Sequence, residues 1–313
     1  MHNKLITFFL VLMFTLIFAG CSNKKDESAK ENGKLSVYTT IFPLADFAKK
    51  IGGDYVNVET IYPPGADSHT YEPSQQQTVQ VAKADLFVYN GVELEPFAEK
   101  MEKSLKKEKV KTINASKDLT LISSSKKGHS EHEEEHHHHH DKDPHVWLDP
   151  MLAMKQAEKI KDALIELQPN HKKEFVENFD ALKKRFIDLD NQFKSVITSA
   201  KTKEVLISHA ALGYWEERYG IKQIAVTGIQ PSDEPSQKEL TNIAKIAKEH
   251  NLKYILFETF TTPKIAEVIQ KETGTKILRY NHLSTISEED VKNNKDYFAL
   301  MEENIKTLKE ATN

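Results

Sequence analysis

A long apolar stripe divides the sequence into two halves. Its members recur at spacings of four and three residues: Phe175, Phe179, Leu182, Phe186, Leu189, Phe193, Val196 and Ala200. This spacing predicts a helix from His171 to Ala200, roughly 45 Å long, which Pro169 separates from an earlier helix over 152–167. A coiled-coil dimer would use the same stripe. We favour a connecting helix, because the stripe lies where an alternation of strands and helices pauses.

Strand patterns lie on both sides of this stripe, over 35–41, 55–61, 85–90, 110–114, 204–208, 222–226, 254–258 and 276–280. Helical patterns lie between them, over 44–51, 74–83, 95–107, 214–219, 236–250 and 264–272. Strands that alternate with helices predict parallel sheets with helical crossovers. We therefore predict an α/β fold of two Rossmann-like (β/α)4 lobes, residues 35–169 and 201–313. One long linking helix, residues 170–200, joins them.

The N-terminus has the pattern of an export signal. An uncharged run from Leu5 to Ala19 follows Lys4 and would span about 22 Å as a helix, which is short for a bilayer core of about 30 Å. The run ends in Phe18-Ala19-Gly20-Cys21, which resembles a bacterial lipobox. We predict that residues 1–20 are a signal peptide and that Cys21 is lipidated, with 21–34 as a flexible tether. An uncleaved anchor is the alternative, and both place the rest of the chain outside the cytoplasm.

The composition excludes several classes of site. The formal net charge is −4 and no basic stretch stands apart, so nucleic-acid binding has little support. Cys21 is the single cysteine, which rules out an intramolecular disulfide and a thiolate-rich zinc site. Histidine is abundant, with 14 residues, and many of them are clustered.

The segment over 126–142 is low in complexity and rich in histidine: His129, His132, His136, His137, His138, His139 and His140. It cannot bury a core, so we predict a mobile loop. Adjacent imidazoles and carboxylates bind divalent cations loosely, which makes it an accessory metal loop. A solvated acidic spacer without metal and an engineered tag are the alternatives.

Three single histidines lie where the predicted sheets would expose them. His69 comes after the second strand, His209 follows the strand over 204–208, and His145 lies just beyond the His-rich loop. Ligands of open α/β sheets collect beyond the carboxyl ends of strands. Neutral imidazole is a good zinc ligand, and three of them with one more donor form a tetrahedral site. Taken alone, each histidine is more often an ordinary hydrogen-bonded or surface residue than a metal ligand. Together they predict a metal site between the lobes.

The chain resembles the cluster A-I solute-binding lipoproteins of zinc and manganese ABC importers, on the side of their zinc-specific members. The resemblance runs from about Leu35 to the C-terminus. Its motifs, in order, are Val37–Pro43, His69–Ser74, Ala84–Gly91, Asp143–Pro150, Ser208–Tyr214 and Phe257–Thr259. It implies two α/β lobes joined by one long rigid helix, and a His-rich insertion before the second ligand is typical of zinc members.

This resemblance implies that His69, His145 and His209 are metal ligands. Manganese members tend to have a carboxylate at the third position, so His209 favours zinc. Ser284 stands where relatives often carry a ligating carboxylate. We therefore expect His282 or water as the fourth ligand. Glu258, at the end of its strand, is expected to orient a histidine rather than to bind the ion.

The leading functional prediction is an extracytoplasmic receptor that captures Zn2+ and delivers it to the permease and ATPase of an ABC transporter. It would be a monomer, lipid-anchored through Cys21 to the outer face of the bacterial cytoplasmic membrane. The alternatives are a manganese receptor, a surface adhesin and a zinc hydrolase. No predicted helix carries a His-Glu-x-x-His motif, since the one match, His132 to His136, lies in the low-complexity segment. The sequence also has no nucleophile elbow, so we predict that it is not an enzyme.

Overall fold

The structure, a computed structural model, describes residues 33–124, 142–229, 236–259 and 263–313. The predicted signal peptide, Cys21, the tether up to residue 32 and all the histidines of the His-rich segment lie outside these residues. Residues Leu35–Asn313 form one compact unit. No helix within the described ranges is long and apolar enough to cross a membrane.

The first lobe contains a four-stranded parallel sheet in the order β2-β1-β3-β4. Its elements are β1 (Leu35–Thr39), α1 (Phe42–Gly52), β2 (Val56–Thr60), α2 (Gln75–Val81), β3 (Leu86–Tyr89), α3 (Pro96–Leu105) and β4 (Lys111–Asn114). The start of α2 is fixed by a reciprocal capping box, in which Ser74 caps the backbone N–H of Gln77 and Gln77 caps that of Ser74.

Two helices lead out of this lobe, α4 (Pro150–Leu167) and α5 (Lys172–Thr198). The break at Pro169 is confirmed, because Pro169–His171 forms a short 3-10 turn between them. The long helix therefore begins at Lys172, one residue later than predicted. Its apolar stripe is buried inside the chain, with Phe175, Phe186 and Phe193 wholly inaccessible. No such face remains for a coiled-coil partner, so that alternative is wrong.

The second lobe repeats the topology of the first, with the parallel order β6-β5-β7-β8. Its elements are β5 (Glu204–His209), α6 (Gly213–Tyr219), β6 (Lys222–Thr227), α7 (Gln237–Glu249), β7 (Tyr254–Glu258), α8 (Pro263–Thr273) and β8 (Lys276–Tyr280). The predicted class of two α/β lobes and a long helix is thus confirmed. His209 is the last residue of its strand rather than the residue after it.

Two further helices, α9 (Glu288–Lys292) and α10 (Tyr297–Ala311), were not predicted. Helix α10 packs against α5, where the rings of Phe298 and Phe186 have centroids 4.9 Å apart. One apolar core runs from the first sheet through α5 and α10 into the second lobe. A second, smaller core lies against the other face of the second sheet, around Leu240, Ile255 and Phe257. The shared core fixes the two lobes relative to each other.

Candidate metal centre

Four histidine side chains converge between the two lobes. His69 lies in the loop after β2 and His145 just before a 3-10 turn over Val146–Leu148, while His209 ends β5 and His282 follows β8. All six pairs of rings have centroids between 5.0 and 6.5 Å apart. Each lobe thus contributes two imidazoles to one centre.

The ring nitrogens are spaced for a shared ion. The Nε2 atoms of His145 and His209 are 3.5 Å apart. Two nitrogens bound tetrahedrally to zinc at about 2.0–2.1 Å would be about 3.4 Å apart. Two groups of ligand atoms lie within 4.8 Å of one another: His69, His145 and His209, and His209, Glu258 and His282. His209 belongs to both groups and is the centre of the cluster.

A buried carboxylate orients His145. The Nδ1 atom of His145 lies 2.8 Å from Oδ1 of Asp143, and the same oxygen accepts the backbone N–H of His145 at 2.9 Å. This contact turns Nε2 towards His209. Burial raises the pKa of the Asp143 carboxyl to about 7, against the lowering effect of that backbone hydrogen bond. A divalent cation at the centre would favour its ionised form.

Glu258 orients His209 as Asp143 orients His145. Its Oε1 atom contacts Nδ1 of His209, which leaves Nε2 to face the centre. Burial raises the pKa of Glu258, but the direct contact with His209 outweighs it and brings the pKa down to about 2. The carboxylate is therefore ionised. The structure places Glu258 where the sequence predicted an orienting partner, and also within reach of the ion itself.

His282 is oriented by a hydroxyl group. Its Nδ1 atom lies 2.9 Å from Oγ of Ser284, and its Nε2 atom is buried without a hydrogen-bond partner. Burial lowers the pKa of His282 well below its usual range, so the ring is neutral and able to bind a cation. Ser284 thus lies behind His282 rather than in the place of a ligand. The wall beside His282 is Trp147, whose Nε1 donates to the His282 carbonyl at 2.8 Å.

His69 is the most open member of the cluster. It is partly exposed, whereas His145, His209 and His282 are 0%, 1% and 5% exposed. Its loop is shaped by local hydrogen bonds: Asp67 accepts the backbone N–H of His69 at 2.9 Å, and the hydroxyl of Tyr62 donates to the Ser68 carbonyl at 3.0 Å. The partial exposure belongs to the rest of the residue, since the Nε2 atom of His69 is buried.

The sequence analysis gave no role to Asp143 or to Ser284 as orienting groups. A signal for Asp143 existed, since a carboxylate two residues before a histidine is in reach of both its backbone and its ring. Trp147 is wholly buried in the core and also forms one wall of the site.

The chain is similar to a known protein family and to several known proteins. A family model described as "Zinc-uptake complex component A periplasmic" matches residues 37–311. The zinc-binding lipoprotein AdcA of Streptococcus pneumoniae is 36% identical over 310 residues, which cover 99% of this chain but 61% of that protein. The chain thus spans about three fifths of that relative's length.

Two further relatives cover the chain and themselves almost completely. The high-affinity zinc uptake system protein ZnuA of Bacillus subtilis is 34% identical, over 99% of this chain and 98% of that protein. The crystal structure of the Zn(II)-bound ZnuA-like domain of Streptococcus pneumoniae AdcA superposes with a TM-score of 0.77 at 35% identity, over 90% of this chain and 99% of that one. By the extent of the family match and of these relatives, the chain belongs to the family of zinc-uptake complex component A.

Proposed function

We propose that the protein is an extracytoplasmic receptor that captures Zn2+ between its lobes and delivers it to the permease and ATPase of an ABC transporter. The ligands are His69, His145, His209 and His282. The observation that carries the proposal is the convergence of four imidazoles, three of them oriented by an oxygen atom at Nδ1. The family description and the relatives' names support zinc as the cargo and an uptake complex as the partner.

The donor set favours zinc over manganese. Four neutral imidazoles suit a small tetrahedral ion, whereas manganese prefers carboxylate, carbonyl and water oxygens. Among the described residues, the carboxylate that lies within reach of the centre is that of Glu258, which is engaged with Nδ1 of His209. A manganese ion would therefore lack most of its preferred ligands.

The same geometry favours a receptor over a hydrolase. A catalytic zinc keeps one position open for water, whereas a zinc with four protein ligands has none. Three of the four histidines are almost wholly buried, so the ion would be held away from a substrate. Capture and release of the ion itself is what such a site can do.

The test is a zinc titration of the mature chain against a competing chelator. We expect one tight site, and His145→Ala should weaken it by about 10³-fold, which is about 4 kcal/mol of binding free energy. His250→Ala is the matched control, because His250 lies at the end of α7 and pairs with Glu204. Equal affinities of the two variants would place the zinc site elsewhere.

We also propose that export and anchoring follow the N-terminal pattern, with cleavage after Gly20 and a lipid on Cys21. The lipobox and the word lipoprotein in the relative's name support this. Cys21→Ala should move the protein from the membrane fraction to the medium or periplasm with its zinc affinity unchanged. Retention of the variant in the membrane fraction would contradict the anchor.

The His-rich segment is proposed as an accessory supply of weak sites. Deletion of residues 128–141 should leave the one tight zinc and abolish the additional weak ones, because adjacent imidazoles and carboxylates in a low-complexity sequence bind divalent cations loosely. Loss of the tight site on deletion would make the segment a source of primary ligands.

A further inference from the structure

His145 lies on an irregular stretch, Asp143–Asp149, which we call the His145 segment. By chain order it belongs to the first lobe, and its one regular feature is the 3-10 turn over Val146–Leu148. Backbone carbonyls of such a segment must find hydrogen-bond partners outside a sheet or helix. Where these partners come from decides what holds His145 in place.

Most of the side-chain partners come from the second lobe. Two neighbouring residues of α6 bracket the histidine: the Tyr214 hydroxyl donates to the Asp143 carbonyl at 2.9 Å, and Trp215 Nε1 donates to the Leu148 carbonyl at 2.7 Å. Arg218, one turn further along, donates to Asp149 Oδ2 at 2.6 Å. The Tyr297 hydroxyl of α10 donates to the Trp147 carbonyl at 2.7 Å. From the first lobe, Asn90 donates to the Pro144 carbonyl at 3.0 Å.

Packing fixes the two aromatic donors. Tyr214 is 2% exposed and inserts into a small apolar cluster whose other buried members, Val146 and Leu152, belong to the first half of the chain. Trp215 is 1% exposed and packs on Phe193 of α5 with ring centroids 4.8 Å apart. Neither donor has room to follow the segment if it moves.

The start of α6 also meets the carboxylate that orients His145. A Cβ at Gly213 would lie 2.4 Å from Oδ2 of Asp143, which is closer than real Cβ contacts allow. The other oxygen of Asp143 is the one that contacts Nδ1 of His145. Only glycine lets the helix approach this pair so closely.

We propose that Gly213, Tyr214 and Trp215 are positioning residues of the zinc site. Helix α6 begins four residues after His209, and its Tyr214 and Trp215 side chains bind the His145 segment. The helix therefore connects the two ligands. One short rigid path therefore sets the spacing of the two Nε2 atoms across the lobes. Loosening it lets the two imidazoles drift, so that zinc leaves faster and its coordination geometry changes. The inference rests on the proposed zinc site.

The test uses the full mature chain and two single-atom changes on the same helix. Tyr214→Phe removes the hydroxyl that holds the His145 segment. Tyr219→Phe is the matched control: Tyr219 is also buried on α6, and its hydroxyl donates to Asp190 at 3.1 Å. Asp190 keeps Lys194 as a partner at 2.6 Å. Zinc dissociation into excess chelator, the visible spectrum of the Co2+-loaded protein and the Tm of the metal-free protein are measured for each.

Tyr214→Phe should raise the zinc dissociation rate roughly tenfold, which corresponds to about 1.4 kcal/mol, and shift the Co2+ bands. Tyr219→Phe should lower the Tm comparably and change neither metal property. Gly213→Ala, a second variant that displaces Asp143, should change both metal properties at least as much. Equal dissociation rates and spectra for Tyr214→Phe and Tyr219→Phe would overturn the positioning role while leaving the zinc site intact. If the unmodified chain shows no tight zinc, the site and this inference both fall.

Discussion

The two lobes have the same strand order but use its central crevice differently. In such a sheet the crevice lies between the ends of the first and third strands, where the order reverses and ligands collect. In the second lobe these strands end in His209 and Glu258, which belong to the candidate metal centre. In the first lobe the equivalent ends lead to Thr40 and Asn90, which bind Glu95 and the His145 segment instead.

Two buried glutamates show the physical difference. Glu95 accepts hydrogen bonds from Thr40 and from the backbone N–H groups of Asn90 and Gly91, yet burial raises its pKa to about 7. At Glu258 the burial penalty is overcome by the contact with His209, and the pKa falls to about 2. One crevice holds an ionised carboxylate suited to a cation, and the other holds a carboxyl group whose hydrogen bonds support the surrounding backbone. The strand order determines where the crevice lies, and the side chains around it determine whether it can bind a cation.

The largest expected effect comes from removing a ligand of the charged crevice. His209→Ala should weaken zinc binding by about 10³-fold or more, because His209 is buried and shared by both ligand groups. His69→Ala, in the partly exposed loop, should cost about tenfold, since water can replace this imidazole. Chelator competition measures both. Equal losses would show that the exposure of a ligand does not rank its contribution.

The next effect contrasts the two glutamates directly. Glu258→Gln should weaken zinc binding about 10- to 100-fold, because the carboxylate that orients His209 and balances the charge is lost. Glu95→Gln should leave zinc affinity within about twofold of the unmodified protein. The same competition assay applies. A comparable loss in the Glu95 variant would mean that the first crevice takes part in binding.

A smaller effect is expected at the fourth ligand. His282→Ala should reduce zinc affinity about tenfold, with water completing the site. Below about pH 6.5 zinc affinity should fall as protons compete for imidazole nitrogens. Because burial already keeps His282 neutral there, its removal should leave the steepness of this fall unchanged. An unchanged affinity would make His282 a bystander, and a shallower fall would show that it carries a proton before zinc binds.

The last prediction concerns the free energy of unfolding rather than zinc binding, and it is made at Glu95 in the first lobe. The raised pKa of Glu95 contributes stability that is present below about pH 4.5 and is lost as pH rises through about 7. Between these values the unmodified protein should lose about 3 kcal/mol relative to Glu95→Gln, at about 1.4 kcal/mol per unit. Denaturant unfolding of the metal-free proteins at several pH values measures this. A constant difference between them would show that Glu95 is ionised throughout.

Much of the fold was readable from the sequence because its signals are local. The strands and the long helix follow from periodicity, and Pro169 marks the break before that helix. Helix α10 was missed although a signal existed: Asp296 caps its first turn, and Leu300, Met301 and Leu308 form a buried helical stripe. The charged and asparagine-rich stretch before it concealed its start.

The site was predictable in part for the same reason. The three single histidines follow strand ends or a motif, and His282 was reached through the resemblance. The contacts that orient them were not predictable where they join distant residues. Tyr214 and Asp143 are 71 residues apart, and their hydrogen bond runs from a side chain to a backbone carbonyl, which leaves no periodic trace in the sequence.

The shared core through α5 and α10 has a consequence for how the protein matures. The hydrogen bond of Tyr297 with the Trp147 carbonyl joins residues that are 150 positions apart in the sequence. The hydrogen bond of Trp147 with the His282 carbonyl joins residues that are 135 positions apart. Contacts of such long range form slowly during folding. In a newly made chain the proposed zinc site should therefore be complete only once these long-range contacts have formed, and zinc should stabilise that folded state. Bound metal would then report that the two lobes have folded onto each other.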